Sequence, residues 1–124
     1  MCPLKGVETQ HKHLLKWSRS MDNPQRVLFV VSNNPFSKDR RTILNLLEEL
    51  LKLGVEVSIY LHGNGVWWLG LEDLKRLTER GLKVLCGRSS VAKRHQTVPP
   101  WAKEVGLEQL ADLITASDKV LFFN

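Results

Sequence analysis

Arg80-Gly81-Leu82-Lys83-Val84-Leu85-Cys86-Gly87 is the stretch that decides the fold. It reads as a helix end, a glycine, and a strand in which a charged residue sits between apolar ones. The same order occurs earlier, in Leu53-Gly54-Val55-Glu56-Val57. Glycine takes up the left-handed conformation that commonly ends a helix. Each copy follows an amphipathic segment. Ile43, Leu46, Leu47, Leu50 and Leu51 lie at helical spacing before Gly54, with Ser37 expected as the N-cap. Leu71, Leu74 and Leu77 share one face before Gly81. Helix-then-strand units repeated in this way predict a parallel sheet with right-handed crossovers.

Working outward, Arg26-Val-Leu-Phe-Val-Val31 is a continuous apolar run of the kind buried on both faces of a parallel sheet. Strands are predicted near 26–32, 55–61, 82–86 and 119–123, with helices on both faces of one mainly parallel sheet. Leu107, Leu110, Ala111 and Ile114 mark the last helix. Gln96 to Gly106 reads as irregular, because Pro99-Pro100 fits neither a helix interior nor a central strand. It is expected to form a rigid loop near Cys86, suited to a lid. Residues 1–25 read as a basic arm and residues 26–124 as one α/β domain.

Composition narrows the class. The chain has 124 residues, 43% hydrophobic and 25% charged, which suits a soluble globular domain. Its net charge of +5 favours anionic ligands without requiring nucleic acid. Two distant cysteines, Cys2 and Cys86, make no disulfide framework, so a reducing, cytoplasmic setting is expected. No apolar run approaches the ~20 residues that span a bilayer, so no membrane partner is expected. Cys2, His11 and His13 do not complete a metal set, and neither metal nor cofactor is expected.

Sites in an open parallel sheet lie beyond the carboxyl ends of its strands. Those ends carry Asn33, then His62 and Gly63, then Cys86, Gly87, Arg88 and Ser89. Cys86 stands before a basic, helical segment. Helix amides and Arg88 there would favour a thiolate and push the thiol pKa down. The residues alone leave Cys86 either reactive or a small apolar core residue. His62 is either an acid–base group or a loop cap. The glycines of Gly63-Asn64-Gly65 let the backbone turn sharply or come close to a ligand. The adjacent Trp67 and Trp68, with Trp101, exceed what a small core readily hides. At least one of them is therefore expected at a subunit interface.

The order strand, helix, strand-His62-Gly-Asn-Gly-Val66, helix, Gly81-Leu-Lys-Val-Leu-Cys86-Gly87, Gly106-Leu-Glu-Gln-Leu-Ala-Asp-Leu-Ile114 and final strand resembles the DsrE/DsrF-like family. That family includes sulfur-relay proteins of the TusD type. The resemblance covers roughly residues 26–124. It implies a three-layer α/β/α sandwich of flavodoxin-like type, assembled as trimers or hexamers. It also implies a sulfurtransferase-like carrier whose Cys86 accepts a persulfide sulfur from a donor protein and passes it to an acceptor. Arg88, Ser89, Gly87, His62, Gly63 and Asn33 would line the substrate site. The other reading is a non-catalytic oligomeric binding or assembly subunit that holds a small anionic ligand. Nucleic acid is not expected as a partner, because no recognisable RNA-binding motif is present.

Overall fold

The structure, a computed structural model, describes residues 25–124. The arm with Cys2, His11 and His13 lies outside the described residues. The elements are β1 (Arg26–Val31), α1 (Arg40–Lys52), β2 (Glu56–Leu61), a 3-10 helix (Gly63–Gly70), α2 (Glu72–Thr78), β3 (Lys83–Gly87), α3 (Arg88–Lys93), β4 (Ala102–Val105), α4 (Leu107–Ala116) and β5 (Lys119–Phe123). Five strands form one sheet in the order β4-β3-β2-β1-β5, and every pairing is parallel. The predicted α/β fold is thus present.

The strand order explains the layers. The chain steps from β1 to β4 in one direction and then returns to set β5 beside β1. Right-handed crossovers place the connections of the outward steps on one face and that of the return step on the other. The first face carries the main core. Val27, Phe29, Val31, Val57, Ile59, Leu61, Val84 and Cys86 meet Ile43 and Leu47 of α1, Trp68 of the 3-10 helix and Leu74 of α2. On the second face Leu28, Val30, Tyr60 and Val105 meet only Leu110 and Leu113 of α4 among the helices. No residue of α4 is fully buried, so this face is half-covered.

Gly54 and Gly81 both have positive φ, at 80° and 109°, as the repeated helix–glycine–strand reading requires. Two expectations need correction. The segment 96–106 is not wholly irregular, because Ala102–Val105 pairs with β3 as an edge strand. Only Val105 is buried while Lys103 and Glu104 face solvent, so the strand shows no apolar run to read. Charge on an edge strand also discourages pairing with other chains. Ser37 does not cap α1. The helix starts at Arg40 after Asp39, with no side-chain cap bond. Residues 63–70, to which the sequence reading assigns no element, form a 3-10 helix. It carries Trp68 fully into the core, where the indole Nε1 donates to the Asn33 carbonyl at 3.1 Å.

Candidate functional site

The carboxyl edge of the sheet brings three segments together, as the topology requires. His62 N–H donates to the Val31 carbonyl at 3.1 Å, and Gly65 N–H to the His62 carbonyl at 2.9 Å. Gly63 has φ 55° and donates its N–H to Ser90 Oγ at 2.8 Å. Arg94 donates through Nε and Nη2 to Asn64 Oδ1, at 3.3 and 3.1 Å. These bonds lash the 3-10 helix to α3. A side chain at Gly65 would run into the Val31 carbonyl, lying 3.0 Å from its carbon. The close approach that the Gly-Asn-Gly turn permits is therefore to the protein's own β1.

Asn33 Nδ2 donates to Asp39 Oδ2 at 3.0 Å, which ties the end of β1 to the start of α1. Its Oδ1 is buried without a hydrogen-bond partner. Arg88 and Ser89 are exposed at the start of α3. Gly87 is buried, and a Cβ there would lie 2.8 Å from the Tyr60 hydroxyl.

Cys86 faces inward. It is 0% exposed, belongs to the main core, and its Sγ donates to the Lys103 carbonyl at 3.6 Å. Burial, with Glu104 opposite on β4 adding a like charge, pushes the thiol up to about 11. The expected downward shift is overturned, because desolvation disfavours the thiolate more than the exposed cations of α3 favour it. Nor does His62 pair with Cys86. Leu61 and Cys86 are partners in register, so both point to the helix-covered side. His62 stacks instead on Tyr60, with ring centroids 5.8 Å apart, on the other face. The two share an edge of the sheet but not a side.

Sequence spacing does not show the bonds of Ser90 to Gly63 and of Arg94 to Asn64, which bind this edge together across 27 and 30 residues. Among the described residues no group of three or more His, Cys, Asp or Glu could hold a metal ion. No described helix is long and apolar enough to cross a membrane.

The sheet order, the all-parallel pairing and the three segments on one edge define an α/β protein of DsrE-like fold. The crystal structure of the YchN protein from E. coli is similar to this chain. The two match with a TM-score of 0.67 at 20% identity, over 80% of this chain and 99% of that one. The likeness is one of fold. No protein-family profile matches the chain, and no curated protein does.

Proposed function

We propose that the chain is a non-catalytic assembly subunit of DsrE-like fold, in which Cys86 is a core residue. The burial of Cys86 carries this reading. A thiol with a pKa of about 11 is thiolate in only about one molecule in ten thousand at pH 7. Its Sγ is enclosed in the main core, and the glycine turn is packed at Gly65 against β1.

Assembly is supported by the half-covered face. Leu107, Ile114 and Phe122 are 78%, 40% and 64% exposed there, beside the smaller apolar cluster. A second copy of the chain that covered them would remove apolar surface from water. Trimers or hexamers are the states that the resemblance implies.

Alkylation by iodoacetamide, followed by mass spectrometry, tests the proposal. Cys86 should label only once denaturant is added, and a persulfide donor should add no sulfur to it in the native protein. The outcome that overturns the proposal is native labelling together with a gain of about 32 Da at Cys86 after donor treatment. That outcome would put Cys86 between a sulfur donor and an acceptor protein. It would require the core packed around the thiol to open.

A further inference from the structure

The fold places two aromatic side chains from separate segments in one open groove. Phe36, after β1, is 80% exposed, and Trp67, on the 3-10 helix, is 44% exposed. With Asn34, Gly70 and Leu71 they line a groove of about 460 Å³. The 3-10 helix turns Trp68 fully inward and leaves its neighbour Trp67 facing out. A second groove, of about 540 Å³, begins at the next residue, Ser37, and carries Lys38, Arg40 and Arg41. Arg40 is engaged, with its guanidinium 6.0 Å from the Phe36 ring centroid and 3.6 Å from Asp73. Lys38 and Arg41 are exposed and have no ion-pair partner among the described residues. The nearby acids are already engaged: Asp39 accepts from Asn33 Nδ2 and Asp73 pairs with Arg40.

We infer that this strip binds single-stranded nucleic acid, with bases stacked on Phe36 and Trp67 and phosphates set against Lys38 and Arg41. Exposed rings stack bases of any sequence, and adjacent cations neutralise the backbone that links them. A small ligand is ordinarily buried over most of its surface. A groove whose Phe36 ring is itself 80% exposed offers a platform rather than an enclosure. A duplex hides its bases within the stack and cannot use the rings. This departs from the expectation drawn from sequence, because the grouping exists only once residues 36 and 67 are brought together.

The test uses the full chain and a fluorescent ten-nucleotide oligouridylate, read by anisotropy across a salt series. Phe36→Ala and Trp67→Ala should each weaken binding about tenfold and leave the salt dependence unchanged. The double variant Lys38→Ala/Arg41→Ala should lower the log–log salt slope by about 1.4, the value for two single-strand phosphate contacts. Circular dichroism checks the fold of each variant. Phe36→Ala keeps the test decisive if Trp67→Ala is destabilised, since its ring carries little packing. The inference is overturned if the aromatic variants bind as tightly as the parent, which would leave only the basic arm. Equal binding of a duplex, of heparin or of a glutamate-rich peptide would overturn it as well. So would dissociation of the assembly by Trp67→Ala, which would make the groove a subunit interface.

Discussion

Replacing Gly65 with alanine should be among the most damaging single changes in the protein. The new methyl group would meet the Val31 carbonyl, 3.0 Å from its carbon and 3.4 Å from Ser32 Cα. Both neighbours are backbone, so no side chain can swing aside. Relief needs a shift of the backbone itself. The Val31 carbonyl cannot give it freely, because it accepts from His62 N–H and ends a strand hydrogen-bonded on both sides. Overpacking of a core typically costs ~1–3 kcal/mol, and a backbone clash belongs at the top of that range. A loss of about 3 kcal/mol is a large share of the ~5–15 kcal/mol that holds a domain together. With a urea slope of ~1–3 kcal/mol/M, the unfolding midpoint should fall by about 1–3 M. Gly70→Ala is the control. Nothing lies within 4 Å of its added carbon, and the change should stay within about 0.5 kcal/mol. A Gly65→Ala midpoint equal to that of Gly70→Ala would refute the claim that the turn is closed against β1. It would return the Gly-Asn-Gly segment to the candidates for ligand contact.

Three further outcomes follow from the same geometry. Alkylation of native Cys86 should stay negligible through neutral and mildly alkaline pH, because burial both closes the thiol to the reagent and raises its pKa; native labelling that reached a plateau below pH 9 would contradict the burial described for it. Phe122→Asp should shift light-scattering mass toward the protomer with little loss of protomer stability, since the ring is 64% exposed; an unchanged mass would remove the half-covered face as the assembly surface. Glu56, held below its usual pKa first by its hydrogen bond to Lys83 and then by the charges of Lys83 and Arg26, adds stability present above the ordinary carboxylate pKa and lost as pH falls through its lowered value. Because the cluster is solvent-exposed, Glu56→Gln should cost no more than about 1 kcal/mol at pH 7 and progressively less in acid, read by urea melts at several pH values.

The repeated helix–glycine–strand units were readable because two simple periodicities and two left-handed glycines suffice to specify them. β4 was not, since an edge strand with exposed Lys103 and Glu104 has no apolar signature. For Cys86, the strand end was legible and the side it faces was not. That side depends on its register with Leu61, and register is a property of the assembled sheet. The glycine turn was legible as a place of close approach, but its neighbour Val31 lies more than thirty residues earlier. Trp67 drew notice in the sequence only beside Trp68 and Trp101, and the fold alone sets Phe36 with it in one groove.

The pairing of β5 with β1 also governs how the chain must be made. Ser32 and Phe123, 91 residues apart, are joined by hydrogen bonds, whereas β1, β2 and β3 each pair with the next strand in order. Loop closure over such a span is slow relative to local pairing. During synthesis, β1 therefore keeps one edge open, with Val27 to Val31 along it, until residues 119–123 emerge from the ribosome. An apolar open edge is a template for pairing with other chains. The nascent protein is thus most prone to aggregate before residues 119–123 arrive, and truncation ahead of residue 119 would fix it in that condition.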